Sequence, residues 1–166
     1  MVEYQVRDAT FADTAPFRIE AEAVVDAEPG AIWEVLIDAE AWPEWFGEPL
    51  TRVERTSTDQ GIGSTRRVTL GRGRTAVDID EQFIIWEPGS AWGFTATSGP
   101  GLLRSLVERC TIFVERPGRT RISYVMAMEP HPLARPLLTL ARGRVQASLR
   151  RALRNLGERA AAEAGG

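Results

Sequence analysis

The chain has 166 residues, of which 43% are hydrophobic and 26% are charged, and its formal net charge is -3. This composition predicts one globular domain with a real core, and the slight negative charge disfavours a basic surface for nucleic acid. Cys110 is the only cysteine, which excludes an intrachain disulfide and a multi-cysteine metal site.

Neither a targeting segment nor a membrane span is expected. The first 17 residues carry acidic side chains and no continuous apolar segment, unlike a signal peptide. No apolar run approaches the roughly 18 residues that cross a bilayer. We therefore expect a cytoplasmic protein with no nucleic-acid partner and no stable membrane insertion. We expect it to be either a monomer or a homodimer.

The N-terminal third of the chain predicts an extension, a strand and two short helices. Residues 1–16 have no firm pattern and are interpreted as an N-terminal extension that can add a short edge strand. Residues 17–25 alternate apolar and polar side chains, the pattern of a half-buried strand. Residues 29–46 then predict a helix that breaks at Pro43, followed by a short helical turn. This segment holds three of the five tryptophans, which should anchor a core or close one end of a cavity.

The rest of the chain predicts a meander of strands followed by one long helix. Turns separate six strand-like segments at residues 51–56, 64–70, 75–86, 91–97, 103–115 and 119–128, which indicates antiparallel pairing. From residue 133 onward apolar side chains recur every three or four residues. The predicted fold is α+β, with a curved seven-stranded antiparallel sheet around the C-terminal helix in one domain, residues 17–162.

Several short phrases in this order resemble a known family. They are AEP at 27–29, IW at 32–33, WPEW at 42–45, GIGS at 61–64, WEP at 86–88 and GRTRI at 118–122. Their order is similar to the START, polyketide cyclase and birch-pollen-allergen-like (SRPBCC) superfamily, and specifically to its bacterial polyketide cyclase/dehydrase-like branch. The resemblance covers roughly residues 17–160. It implies a helix-grip fold whose deep apolar cavity, between sheet and helix, holds a lipid, sterol, quinone or polyketide, but it transfers no shared catalytic motif.

Two charged residues are candidates for the cavity because they share the alternation of apolar neighbours. Glu81 is in phase with Ile79, Phe83 and Ile85, and Arg66 is in phase with Val68. A carboxylate in an apolar pocket has a raised pKa and can act as a general acid or base, or orient a ligand hydroxyl. The alternatives are a structural Glu-Arg pair or a bulge that turns Glu81 outward.

The remaining candidates are mostly apolar. Tyr124 offers a hydroxyl that can bind or protonate a carbonyl. We predict that the ligand-binding wall comprises Arg66, Glu81, Phe83, Trp92, Phe94, Tyr124, Met126, Leu137 and Ala141, although each aromatic or aliphatic member can equally be plain core. We expect no cofactor and no metal. The single histidine, His131, lies between two prolines and is interpreted as a loop residue.

Three functions remain open from sequence alone. The first is binding of a small hydrophobic ligand between sheet and C-terminal helix. The second is a polyketide cyclase or aromatase that uses Glu81 and Tyr124 for proton transfer. The third is a non-catalytic module that contacts a partner or a membrane, which predicts a filled interior and an exposed apolar patch at residues 133–140. Periodicity does not decide which face of residues 103–115 points inward.

Overall fold

The computed structural model describes residues 1–165 and has the helix-grip architecture that the sequence predicted. The helices are α1 (Phe11–Thr14), α2 (Pro29–Ile37), α3 (Trp42–Phe46) and α4 (Arg135–Ala164), with a 3-10 turn at Gly73–Thr75. The strands are β1 (Val2–Glu3), β2 (Phe17–Val25), β3 (Leu50–Arg55), β4 (Thr65–Leu70), β5 (Val77–Glu87), β6 (Ala91–Gly99), β7 (Leu103–Arg116) and β8 (Arg119–Pro130).

Seven of these strands form one continuous antiparallel sheet. Its order is β2-β8-β7-β6-β5-β4-β3, and the short β1 pairs separately with β6. Every neighbouring pair from β3 to β8 is consecutive in the chain, so the meander interpretation holds; β2 joins at the edge beside β8. The inner face of the sheet, the α2–α3 segment and α4 enclose one apolar core.

A bulge in β5 corrects one prediction about which side chains point inward. The pairing with β6 shifts between Phe83 and Ile85, so the alternation changes phase after Phe83. Ile85 therefore does not continue the inward row of Ile79 and Phe83; Trp86 packs against the main core instead. A bulge places two residues opposite one, and single-sequence periodicity carries no mark of it here.

The inward face of β7, which periodicity left open, is the one that carries Glu108 and Cys110. Leu106, Cys110 and Ile112 belong to the main core, and Glu108 is buried in the same phase. Val107 instead packs on the outer face of the sheet against Ala12 of α1. The N-terminal residues thus cover part of that outer face.

Helix α4 is fixed firmly only along its C-terminal half. Its buried residues begin at Leu149 and run to Ala160. Near the end, Gly157 passes so close to β2 that a Cβ there would lie 2.3 Å from Cγ1 of Val25. Before Leu149 the helix is mainly exposed and touches the β2 edge, where Arg142 donates a 2.7 Å hydrogen bond to the carbonyl of Arg18. Within residues 1–165, no helix is both long and apolar enough to traverse a bilayer.

Candidate functional site

The interior of the fold contains a buried ion pair between adjacent strands. Arg66 on β4 lies directly opposite Glu81 on β5, and both side chains are buried on the inner face of the sheet. Arg66 Nε donates a 2.6 Å hydrogen bond to Glu81 Oε2, and the two residues are only 3% and 4% exposed. Charges this deeply buried need a counter-charge, and Arg66 and Glu81 provide it for each other.

Aromatic rings surround the Arg66 guanidinium. Its central carbon lies 4.2 Å from the ring centre of Trp42, 4.9 Å from that of Trp92 and 5.0 Å from that of Phe94. Phe83 adds a fourth ring at 5.3 Å. These distances fall within the range of cation-π attraction, which strengthens when the cation is withdrawn from water. We call Arg66 with these four rings the arginine box.

A second buried polar pair lies on β7 and β8. The hydroxyl of Tyr124 donates a hydrogen bond to Oε2 of Glu108, and both residues are buried. Glu108 is directly opposite Phe94 in the β6–β7 ladder, so this pair adjoins the arginine box. Four polar side chains, Arg66, Glu81, Glu108 and Tyr124, thus converge on the inner face of one sheet.

Burial dominates the protonation of these groups. Burial, together with the nearby negative charge of Glu81, raises the pKa of the Glu108 carboxyl to about 8, although the hydrogen bond from Tyr124 and the charge of Arg66 oppose the rise. Burial also raises the pKa of Glu81, although the charge and hydrogen bond of Arg66 oppose the rise. The pKa of Tyr124 is held well above its ordinary value by burial and by Glu108. Near neutral pH, Glu108 is therefore mainly a protonated acid beside a protonated phenol.

A small inner cavity beside the arginine box and a larger groove at the surface lie next to each other. An inner cavity of about 20 Å³ borders Arg66, Phe83 and Trp92. An outer groove of about 910 Å³ lies between the α2–α3 segment and the β3–β4 hairpin. Cavity and groove share four lining residues, Ile37, Ala39, Arg55 and Gln60. Since about one water-sized probe needs ~10–15 Å³, the inner cavity holds no more than a water in this conformation.

The interior is therefore filled where the resemblance implied a deep cavity. Trp42 contacts Trp45, Trp92 and Phe46 with ring centres 4.5, 5.1 and 5.7 Å apart. Trp92 also lies 5.4 Å from both Phe83 and Phe94. These large side chains occupy the volume between the sheet and α3.

The predicted wall residues do not all meet at this site. Arg66, Glu81, Phe83, Trp92, Phe94 and Tyr124 are buried together on the inner face, and Met126 is half-buried against the core. Leu137 is 58% exposed, so its placement in the ligand wall is wrong. On α4 it is turned away from the buried stripe of Leu149 and Leu156. Ala141 is only half-buried in the loosely packed part of the helix.

Sequence reasoning missed two members of the site. Periodicity does not single out Glu108, because both faces of β7 carry apolar residues and the inward face stays open. The acidic side chain of Glu108 within a strand of inward apolar residues was the available signal. The sequence predicts Trp42 as a core anchor but does not predict its contact with Arg66. The two residues are 24 positions apart, and no local pattern links them.

The other reactive side chains fit structural roles. Burial raises the pKa of the Cys110 thiol to about 12, which keeps it protonated and poorly nucleophilic. His131 lies in the turn between β8 and α4, where its backbone N–H donates a 3.0 Å bond to the Leu102 carbonyl. Among residues 1–165, no three His, Cys, Asp or Glu side chains are grouped as a metal site would require.

This fold and its inward polar cluster define the class of helix-grip proteins, and comparison with known proteins specifies the family. Residues 16–161 match the family described as polyketide cyclase / dehydrase and lipid transport. The chain belongs to this family. An uncharacterized protein from Mycobacterium tuberculosis is 34% identical over 152 residues, which is 89% of this chain and 86% of that protein.

Solved structures support the same architecture. The Zhui aromatase/cyclase from Streptomyces sp. R1128 superposes with a TM-score of 0.70 at 18% identity, covering 86% of this chain and 93% of that one. A START superfamily protein from Mycobacterium smegmatis gives a TM-score of 0.71 at 17% identity, covering 85% and 97%. At these identities the likeness establishes the fold. The family description places the chain among proteins of cyclase or hydrophobic-ligand type in general.

Proposed function

We propose that this protein binds a small, mostly apolar molecule that has a planar ring and a hydrogen-bond-accepting oxygen, next to the arginine box. The observation that carries the proposal is the state of Arg66. Among the described residues its guanidinium donates one hydrogen bond, through Nε, and four rings surround it. The remaining guanidinium N–H groups suit a ligand carbonyl, phenol or carboxyl oxygen.

The groove beside α2 and α3 supports a route for this ligand. It shares four lining residues with the inner cavity, and Arg66 borders that cavity. Because the cavity is small, binding requires the aromatic side chains or the five-residue α3 to move outward. Trp92 also has a buried indole N–H, which finds no hydrogen-bond partner within residues 1–165 and is a second donor beside the same space.

Titration with defined probes tests this function. Oleic acid, menadione and emodin represent the lipid, quinone and polyketide classes, and intrinsic tryptophan fluorescence reports binding near Trp42 and Trp92. We expect the two ring compounds to bind more tightly than oleic acid. The double variant Arg66→Leu/Glu81→Leu removes both buried charges together, which a folded protein tolerates better than removal of one.

The double variant should lose most of the affinity for menadione and emodin while remaining folded by circular dichroism. The matched control is Arg67→Gln/Asp80→Asn, which removes the outward pair on the same two strands. Wild-type protein that binds none of the three probes, or a folded double variant that binds them as tightly as wild type, overturns the proposal.

A cyclase or dehydrase activity is the second candidate, and the Glu108–Tyr124 pair favours it. A carboxyl with a pKa of about 8 beside a phenol can exchange protons with a carbonyl during aldol closure and loss of water. Tyr124→Phe removes only the hydroxyl, so turnover of a linear poly-β-ketone should fall about a hundredfold. Turnover unaffected by Tyr124→Phe, Glu108→Gln and Glu81→Gln excludes this mechanism.

A further inference from the structure

An exposed apolar and basic surface lies at the N-terminal end of α4, far along the chain from the arginine box. Leu133, Leu137 and Leu140 are 96%, 58% and 83% exposed. Leu137 and Leu140 lie on one side of α4, which Arg144 and Arg151 continue, and Leu133 lies in the turn that leads into the helix. We call these five residues the leucine–arginine face. This face lies opposite the buried stripe of α4, so it does not contribute to the hydrophobic core.

The charge of this region differs from that of the rest of the chain. Residues 131–157 contain six arginines and no acidic residue, although the whole protein has a net charge of -3. Within the described part of the chain, Arg135, Arg144 and Arg151 form no ion pair. The acid that precedes the region, Glu129, is already paired with Arg7 at 2.7 Å. These arginine side chains are therefore available to contact an external anionic surface.

A shallow concavity borders the leucine–arginine face. Pro132, Arg135, Pro136, Thr139 and Leu140 line a shallow, open concavity of about 550 Å³. Leu137 and Leu140 are about 4.5 Å apart along the helix axis, since each residue rises about 1.5 Å, and Leu133 precedes the helix in the turn. Leucines of this spacing can enter the headgroup layer while arginines further along the same helix side contact lipid phosphates.

We propose that the leucine–arginine face docks reversibly on an anionic lipid bilayer. The exposed leucines supply apolar area that partitions into the interface, and the unpaired arginines supply electrostatic attraction to anionic headgroups. Buried side chains hold the C-terminal half of α4 in the core. Docking therefore uses the exposed side chains of the N-terminal half together with the outward Arg151. The face lies outside the ligand site and its docking does not depend on the arginine box.

Co-sedimentation of the full chain with lipid vesicles tests the proposal. We expect binding to vesicles of phosphatidylcholine mixed with phosphatidylglycerol, little binding to pure phosphatidylcholine, and release at high salt because screening shortens the reach of the charges. The triple variant Leu133→Gln/Leu137→Gln/Leu140→Gln should bind at least about tenfold more weakly, since burial of each leucine contributes favourably. Arg144→Gln/Arg151→Gln should weaken binding by about tenfold as well.

Matched controls alter exposed residues elsewhere. Ile62→Gln/Leu102→Gln removes two exposed apolar side chains outside the face, and Arg72→Gln removes an exposed cation on the β4–β5 connection. Both controls should bind vesicles like wild type. The proposal is overturned if wild-type protein does not bind anionic vesicles at low salt, or if the triple variant binds them as well as wild type does. It is also overturned by a wild-type dimer that the triple variant dissociates, since a second copy would then cover the face.

Discussion

Arg66 and Glu81 form an inward ion pair, and one position further along the same two strands Arg67 and Asp80 form an outward one. Arg66 Nε lies 2.6 Å from Glu81 Oε2, and Arg67 Nε lies 2.7 Å from Asp80 Oδ1. The side chains of the inner pair are 3% and 5% exposed, whereas those of the outer pair are 42% and 27% exposed. The strands, the charges and the closest contact distances match, whereas burial differs strongly. The hydrogen bonding differs as well, because Arg67 bonds Asp80 through both Nε and Nη2.

Glu81→Gln should destabilise the protein strongly. It leaves the Arg66 guanidinium buried without a counter-charge, and breaking a buried pair by removing one partner costs about 3 kcal/mol or more. Urea unfolding followed by circular dichroism measures this loss. The double variant Arg66→Leu/Glu81→Leu should be more stable than Glu81→Gln, because no charge then remains unpaired.

The outward pair provides the comparison. Arg67→Gln should change the free energy of unfolding only slightly, because water screens Arg67 and Asp80. If Glu81→Gln and Arg67→Gln have equal small effects, then the buried pair is not the stabilising contact that its geometry indicates.

Glu108 should make the stability of the protein fall as the pH rises from mildly acidic to neutral. Its carboxyl has an ordinary pKa of 4.5 and a folded-state pKa of about 8. Between these values the folded state keeps a proton that the unfolded state has lost, so raising the pH favours unfolding. The contribution is complete below pH 4.5, is lost progressively up to about pH 8 and changes little above it. Its slope is at most about 1.4 kcal/mol per pH unit.

The variant Glu108→Gln isolates this effect, because glutamine has no proton to lose. Urea unfolding of both proteins across the window should show the variant gaining stability relative to wild type as the pH rises. Other ionisable groups, including Glu81, are common to both proteins and largely cancel in the comparison. Parallel stability curves for the two proteins would contradict the buried, protonated state of Glu108.

The sequence predicts the helix-grip fold well because that fold is set by local periodicity. Alternation in β2, turns between strands and the stripe of α4 each reveal one element, and their order determines the sheet. The same alternation placed Arg66 and Glu81 on one side of their strands. It failed at Ile85, where a bulge changes the phase of the alternation. It also failed at Leu137, because a helical stripe does not reveal how much of the helix extends beyond the sheet.

The filled interior was beyond such reasoning for a different reason. Whether large side chains leave a cavity depends on how rings from α3, β5 and β6 meet in three dimensions. Trp42 contacts Trp92, which is 50 positions later, and both contact Arg66. No local pattern encodes these contacts, so the family resemblance implied a space that the rings of this chain occupy.

Trp42 and Trp92 should respond differently to replacement by phenylalanine. Both indoles are fully buried in the arginine box. Trp42 Nε1 donates a 2.9 Å hydrogen bond to the Leu36 carbonyl, whereas Trp92 Nε1 has no partner among the residues that the structure describes. Trp42→Phe loses that bond and leaves a buried carbonyl with one donor fewer. Trp92→Phe removes an unsatisfied donor, which offsets part of the lost packing.

We therefore expect Trp42→Phe to lower the free energy of unfolding by about 1 kcal/mol more than Trp92→Phe. Urea unfolding of the two variants measures the difference. The ring loss is the same chemical change in both, so each variant serves as the other's control. A larger loss for Trp92→Phe would indicate that its N–H has a partner, such as a bound water in the adjacent cavity.

Two glycines of α4 should respond in opposite directions to alanine. Gly143 lies in the exposed half, and a Cβ there meets no atom within 4 Å; Gly157 faces Val25, where a Cβ would lie 2.3 Å from Cγ1. Gly143→Ala should stabilise the protein by about 0.5–1 kcal/mol through the higher helix propensity of alanine. Gly157→Ala gains the same propensity but forces helix and strand apart, so we expect a net loss of about 1–3 kcal/mol.

Thermal and urea unfolding of both variants test this pair, with Gly143→Ala as the matched control for propensity. The displacement caused by Gly157→Ala should also weaken the contacts that flank it, including the 3.0 Å hydrogen bond from Asn155 Nδ2 to the Trp45 carbonyl. Since that bond joins α4 to α3, hydrogen exchange should quicken in α3 as well as in α4. A stabilised Gly157→Ala variant would mean that β2 yields easily, and that the C-terminal half of α4 is not the fixed end of the helix.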